Sequence, residues 1–266
     1  MIKMIALDLD GSLLTDEKTI TEENKKELKK LHNQGIKIVI CTGRPINAIK
    51  NYLIDLDLFE FNDFTVCFNG GLVLNNVTEN IMFKKSLENQ QIEMLHKFVS
   101  ENHHPLDILD FDKVYQINDL KSSIYQSVIK APIEFESIKY KNLPDEDFAK
   151  GIIATQPEEI DQILNEVSPE MEDNFYIVRS QPTILEFLPK GVNKKGGLQA
   201  LLNHFDLDFS NLMAFGDAKN DYEMLQAAEV GVAMENAKPD IQEVANDVTL
   251  NNNNSGVADY LEKYFQ

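Results

Sequence analysis

The chain has 266 residues, enough for one large domain or two moderate ones. It is 43% hydrophobic and 26% charged, and no apolar stretch approaches the length of a membrane span, so it reads as a globular protein with room for a sizeable core. Forty-four acidic against 25 basic residues give a formal net charge of −19, which repels nucleic-acid backbones and anionic lipid and argues against both as partners, while leaving room for a small anionic substrate held by a local cluster of cations.

Residues 2–9 form an apolar run that predicts a buried strand, and the N-terminal MIKMIALDLDG lacks the pattern of a signal peptide. Thr21 then opens a helix (TEENKKELKKLHNQG), with Ile20 placed as a staple before it and Gly35 as its stop. A second apolar strand covers 36–42, and PINAIKNYLIDL follows as a helix with Pro45 in its first turn, where a missing N–H costs nothing. FTVCFNGG is a third strand ending in a glycine pair. This alternation predicts a parallel sheet with helices on its faces.

From 83 to 187 the pattern loosens. Two helical stretches (ENQQIEMLHKFVSENH and PEEIDQILNEVSP) mix with alternating segments (KVYQIND, NFYIVRS, TILEFLP), the last two joined through Gln181-Pro182 in a hairpin-like way. This predicts an α+β insert. After it the parallel pattern returns: helix at NKKGGLQALLNHF, strand at NLMAFGD, helix at NDYEMLQAA, strand at VGVAM, short helix at PDIQEVA, strand at DVTL, and a last helix at SGVADYLEKYF. The expected organisation is therefore α/β, with a Rossmann-like parallel-sheet core assembled from 1–82 and 188–266, and an α+β domain inserted over 83–187.

In an open α/β sheet ligands bind outside the carboxyl ends of the strands. Four predicted strands of this chain end there in polar residues or glycine: Asp8-Leu9-Asp10-Gly11, Thr42-Gly43-Arg44, Asn69-Gly70-Gly71 and Gly216-Asp217, the last with Asn220 and Asp221 opening the next helix. Lys194 and Lys195 stand at the start of another helix. Alternation along a strand puts Asp8 and Asp10 on one side. With Asp217 they make a cluster of hard oxygen ligands that calls for a cation, and Mg²⁺ suits such a set. Backbone N–H groups at Gly11, the hydroxyls of Ser12 and Thr42 and a lysine ammonium can hold a phosphate. One aspartate can then attack phosphorus while its neighbour carries the proton. Asp-x-Asp alone is a weak motif, and read as a calcium loop it fails, because Leu13 stands where glycine and Thr19 where glutamate is needed.

DLDGSLL, TGR, the lysine of GVNKKGGL and GDAKND occur in the order of the haloacid dehalogenase superfamily of phosphatases, which the whole chain resembles; NGG, the central insert and the closing GVAMENAKPDIQEVANDVTLNNNNSGVADYL are similar to its Cof-type, large-cap branch. The resemblance implies a Mg²⁺-dependent phosphomonoesterase. Asp8 would be the nucleophile and Asp10 the general acid/base. Gly11, Ser12, Thr42, Gly43, Lys194 and Asn220 would bind phosphate, Arg44 and Asn69 would face the substrate, and Asp8, Asp10, Asp217 and Asp221 would hold the metal. It also implies a cap that closes over the site, small phosphorylated metabolites such as sugar phosphates, flavin mononucleotide or pyridoxal phosphate as substrates, no nucleic-acid or membrane partner, and a monomer or homodimer. Three positions depart from the family pattern: Ser12 replaces threonine and keeps the hydroxyl, Lys195 follows the motif lysine where glycine is usual, and Glu235 stands where glycine is common.

Other residues have local readings. Arg44 suits either a substrate contact or a structural ion pair, and Asn69 either a substrate contact or a tight turn. The five histidines lack partners at metal-ligand spacing, and Cys41 and Cys67, in apolar runs, read as buried thiols of a reducing cytoplasm. Lys113, Tyr115 and Arg179 of the insert are specificity candidates by residue type alone. A sugar phosphomutase and a non-enzymatic phospho-acceptor or metabolite sensor are the competing functions; the intact Asp8/Asp10 pair speaks against the latter.

Overall fold

A computed structural model describes residues 1–129 and 133–266. In chain order its elements are β1 (Met4–Leu7), α1 (Glu22–Asn33), β2 (Lys37–Cys41), α2 (Lys50–Asp55), β3 (Phe64–Cys67), β4 (Leu72–Asn75), β5 (Ile81–Lys84), α3 (Asn89–Glu101), β6 (Asp107–Leu109), β7 (Lys113–Ile117), α4 (Tyr125–Val128), β8 (Glu134–Ile138), β9 (Lys150–Ala154), α5 (Pro157–Glu166), α6 (Pro169–Asn174), β10 (Phe175–Gln181), β11 (Ile184–Pro189), α7 (Lys194–His204), β12 (Leu212–Gly216), α8 (Tyr222–Ala227), β13 (Val230–Met234), α9 (Pro239–Gln242), β14 (Asp247–Thr249) and α10 (Gly256–Tyr264), with short 3₁₀ turns between some of them. The chain divides into two compact units, Met1–Lys84 with Asn193–Gln266, and Lys85–Val192.

The first unit is built on one sheet of order β14-β13-β12-β1-β2-β3-β4-β5. From β14 to β3 the neighbours are parallel, whereas β4 and β5 add an antiparallel edge. Strands buried on both faces must be apolar along their buried length, and LMAFG and the IVIC that follows half-buried Lys37 meet that demand. Leu198, Leu201 and Leu202 of α7 and Met224 of α8 pack with Ala6, Val66 and Ala214 of the strands. Each such leucine contributes on the order of 2 kcal/mol through burial. α1 and α10 pack on each other, and Asn24 of α1 accepts a hydrogen bond from the backbone N–H of Ala258 at 2.9 Å. α1 starts where expected: the Thr21 hydroxyl accepts from the Asn24 N–H. The helix expected over 45–56 is instead a 3₁₀ turn followed by the short α2, because Ile49, at φ −125° and ψ −1°, interrupts the helical path. β1 and β12 are neighbours, and the chain runs outward from them in both directions. The switch point of this sheet therefore lies between these two strands, where an α/β sheet opens its ligand crevice.

The second unit has its own sheet of order β10-β11-β9-β6-β7-β8, antiparallel except for β7 with β8. Leu95 and Val99 of α3 and Ile160 and Ile163 of α5 pack with Ile108, Ile153, Leu185 and Phe187 of the strands. The helix expected over 157–169 ends at Glu166, and Ser168 caps a separate α6. No helix among the described residues is long and apolar enough to cross a membrane.

Candidate active site

β1 stops at Leu7, and this ending decides where the two leading aspartates go. The Asp8 N–H still bonds Phe215 O at 3.1 Å, but Leu13 N–H then returns to Asp8 O and Leu14 N–H to Leu9 O. The chain turns instead of continuing as a strand, so the expected shared side for Asp8 and Asp10 is not realised. Asp8 is buried and Asp10 is exposed.

Asp8 faces Lys194. The Lys194 ammonium, fully buried, donates to Asp8 Oδ1 and, at 2.6 Å, to Asp221 Oδ1. Asn193 accounts for this aim: its Oδ1 accepts from the Gly196 N–H, capping α7 so that Lys194 is its first residue. Lys195 is exposed, with its ammonium 5.9 Å from the Phe209 ring. Asp221 Oδ2 accepts the backbone N–H groups of Asp217 and Ala218, both at 3.0 Å, which fixes the turn after β12. Ser12 Oγ donates to Asp217 Oδ1 at 3.1 Å. Gly11 lies at φ +90°, and a Cβ there would come within 2.3 Å of Asp217 Oδ2, so the loop and the carboxylate share this space only because residue 11 has no side chain.

Carboxylate oxygens of Asp8, Asp217 and Asp221 lie within 4.8 Å of one another. Burial, then the charge of Asp221, raises the pKa of Asp8 against the lowering pull of Lys194. Burial and Asp221 likewise push Asp217 up to about 7. Burial disfavours the charged form of Lys194, but Asp221 and Asp8 outweigh it and hold its pKa above the usual lysine value. Two buried carboxylates and the half-buried one of Asp217, served by one ammonium, form an all-oxygen donor set with negative charge to spare, and a small divalent cation fits it. Asp10, expected among the metal ligands, lends no carboxylate to this group. Its Oδ2 accepts Arg44 Nε at 2.8 Å, and its Oδ1 accepts Arg44 Nη2 at 2.5 Å and Lys18 Nζ at 2.7 Å. Burial works to raise the Asp10 pKa, but Arg44 and then Lys18 outweigh it and keep it below the usual aspartate value.

The remaining expected residues surround this centre. Thr42 is buried, and its Oγ1 accepts the Arg44 N–H at 3.1 Å, leaving its hydroxyl proton available to a ligand. Asn69 is buried in a left-handed conformation (φ 53°), where it accepts from Asn220 Nδ2 at 3.1 Å; a Cβ at Gly43 would meet its amide at 3.2 Å. Asn69, Gly43 and Asn220 thus form one packed corner. Arg44 makes an ion pair with Asp10. Lys18 and Asn236, whose Nδ2 donates to Gly11 O at 2.8 Å, escaped the sequence reading, since Lys18 lies in no motif, Asn236 carries no assigned role within the closing stretch, and each reaches the site through the fold. Glu235 is exposed and accepts from Asn251. Lys113, Tyr115 and Arg179 all have partners within the second unit: Glu136, Glu146 and Asp161. Cys41 and Cys67 are buried free thiols.

Comparison with known proteins identifies the family. The sequence model of a family described as haloacid dehalogenase-like hydrolase matches residues 5–261. The Bacillus subtilis protein named "Putative phosphatase YxeH" is 33% identical over 262 residues, covering 97% of this chain and 96% of the relative. The 5-amino-6-(5-phospho-D-ribitylamino)uracil phosphatase YcsE of the same organism is 30% identical over 259 residues, covering 97% and 93%. Among solved structures, a haloacid dehalogenase-like hydrolase from Bacteroides thetaiotaomicron superposes with a TM-score of 0.86 at 27% identity, over 99% of this chain and 100% of that one.

Proposed function

The chain belongs to the haloacid dehalogenase-like hydrolase family and is a phosphatase, and from that premise we propose that it is a Mg²⁺-dependent phosphomonoesterase of small phosphorylated metabolites working through an aspartyl phosphate on Asp8. The observation that carries the reading is the ammonium of Lys194 buried between Asp8 and Asp221 at the switch point of the sheet. A nucleophilic carboxylate must be ionised, and Lys194 is the group that favours that form against burial.

In the first step an Asp8 oxygen attacks phosphorus and the bond to the leaving oxygen breaks, with Asp10, ionised at rest beside Arg44 and Lys18, first taking up a proton from solvent and then passing it to that oxygen. In the second, water attacks the acyl phosphate, Asp10 takes the proton, and the bond between phosphorus and Asp8 breaks to release inorganic phosphate. Thr42, Lys194 and the backbone around Gly11 and Ser12 hold the phosphoryl oxygens, and Asn220, fixed through Asn69, supports them. Asp8, Asp217 and Asp221 would hold Mg²⁺, which when bound offsets negative charge on the transferring group. The YcsE relative, by its name a phosphatase of a phosphorylated ribitylamino-uracil, supports a small polyhydroxylated phosphomonoester as the substrate class. Two buried free thiols support a cytoplasmic setting.

The test is phosphate release from a panel of phosphomonoesters, with Mg²⁺ and with chelator, for wild type and Asp8→Asn. Release that requires Mg²⁺ and vanishes in Asp8→Asn is expected. A folded protein that transfers phosphate between sugar positions without releasing it would replace this reading with a mutase.

A further inference from the structure

Asn69 stands in the middle of a costly stretch of backbone. Phe68, Asn69 and Gly70 all have positive φ, at 51°, 53° and 99°, and two successive residues with a Cβ adopt left-handed backbone only where the surroundings over-determine it. Several contacts do so here. The Phe68 side chain is fully buried. The Asn69 N–H donates to Thr42 O at 2.9 Å. Gly70 packs against the start of α7: a Cβ on it would stand 2.0 Å from Asn193 O, and a Cβ on Gly197 would stand 2.9 Å from the Gly70 Cα.

The turn therefore touches the segments that carry Thr42 and Lys194, and it reaches the segment of Asn220 through a side chain. Asn69 is 1% exposed, and its Oδ1 accepts from Asn220 Nδ2 at 3.1 Å. Gly43 leaves room for this amide by having no Cβ, which would meet it at 3.2 Å. A carboxamide nitrogen carries two protons. With one of them committed to Asn69, the Asn220 amide is fixed in rotation and in which end it presents, and its second N–H remains for a ligand.

We propose that Asn69 is a positioning residue for the phosphoryl group: it holds the Asn220 amide nitrogen toward bound phosphate and does not touch the substrate itself. The inference rests on the phosphate-binding role given to Asn220 above. A residue acting through Asn220 works on the phosphoryl end, which all phosphomonoesters share with inorganic phosphate. A residue facing the leaving group would instead discriminate among esters and leave phosphate binding alone.

The experiment compares wild type, Asn69→Gly, Asn220→Ala, the double variant and Asp8→Asn in Mg²⁺. It reads kcat and KM for p-nitrophenyl phosphate and for a sugar phosphate that wild type hydrolyses, together with inhibition by inorganic phosphate. Glycine accepts the left-handed backbone and removes the acceptor. Asn69→Gly is expected to raise KM for both esters and the inhibition constant of phosphate by one common factor of about tenfold, with kcat within about threefold of wild type. Asn220→Ala should show the same pattern, and the double variant should be no worse than Asn220→Ala alone, because residues acting in series do not add. Asn69→Ser, whose hydroxyl falls short of Asn220, carries the same expectation and serves if glycine there lowers the melting temperature. Factors that differ between the esters, an unchanged phosphate constant, a fall in kcat alone, or losses that add in the double variant would each overturn the assignment. Failure of the underlying mechanism is separately visible: wild type then releases no phosphate from either ester, or Asp8→Asn releases as much as wild type, and the inference goes with it.

Discussion

Replacing Lys194 by methionine tests the electrostatic core of the site. Methionine keeps the length and apolar stem of the side chain but removes the charge shared by Asp8 and Asp221. All three residues are buried, with relative exposures of 0% for Lys194, 6% for Asp8 and 0% for Asp221, so water does not replace the lost donor. Removing one partner from a buried ion pair costs about 3–5 kcal/mol, because the charges left behind have no solvent and no counter-ion. For a unit of this size that corresponds to a fall in melting temperature on the order of 10 °C. The sign with pH follows from Asp8. Its folded pKa is already raised by burial and Asp221 and rises further without Lys194, so its contribution to stability is present below the unfolded carboxylate pKa and is lost as pH climbs through the folded one. The deficit of Lys194→Met should therefore be larger at pH 8 than at pH 5. Urea and thermal melts in chelator at both pH values, followed by the same melts with Mg²⁺, provide the measurement. A deficit below about 1 kcal/mol at pH 8, or one that does not shrink on acidification, would refute the picture of a buried ammonium neutralising two buried carboxylates.

Two further outcomes follow from single positions. Gly11→Ala places a Cβ at 2.3 Å from Asp217 Oδ2 on backbone at φ +90°, so it should cost about 1–3 kcal/mol and lower phosphatase turnover by about a hundredfold or more, read by melting and by phosphate release; activity near wild type would show that the loop relaxes freely. Asp107, on β6 of the second unit, is buried, accepts from Ser123 and is pushed by burial up to about 7, against an ordinary value of 3.8. The stability it contributes is present below pH 4 and lost by about pH 7, so Asp107→Asn should gain stability relative to wild type across that window. Parallel melts from pH 4 to 8 that keep a constant offset would contradict it.

The parallel strands of the first unit are legible in the sequence because burial on both faces leaves them no choice but continuous apolar runs. β4 and β5 are not, since the glycine pair at 70 and 71 reads as the end of a strand and β5 is an edge whose residues are half-buried or exposed. β9 and β11 of the second unit carry Lys150 and Glu186, which bury together at 2.7 Å although 36 positions apart; nothing local shows that a lysine there belongs to a core. At the site, residue types and spacing identify the acidic centre and both candidate lysines. Choosing between Lys194 and Lys195 takes the cap at Asn193, which sets where α7 begins. The parting of Asp8 from Asp10 is hidden for a similar reason. It depends on β1 ending at Leu7, and the register of a strand's last residue is decided by backbone partners far away in the chain.

The adjacency of β1 and β12 has a consequence for how the protein comes into being. Met4 pairs with Leu212 and Leu7 with Phe215, so the middle of the sheet is a contact between segments more than 200 positions apart. On a ribosome β1 emerges early and must wait for its central neighbour until the whole insert has been made, and such distant pairings form slowly and leave sheet edges exposed meanwhile. Asp8 comes from the early segment, while Lys194, Asp217 and Asp221 come from the late one. A nascent chain therefore carries Asp8, the proposed nucleophile, without the Lys194 ammonium that pairs with it, and phosphatase activity should switch on abruptly, only once residues beyond 221 have left the exit tunnel.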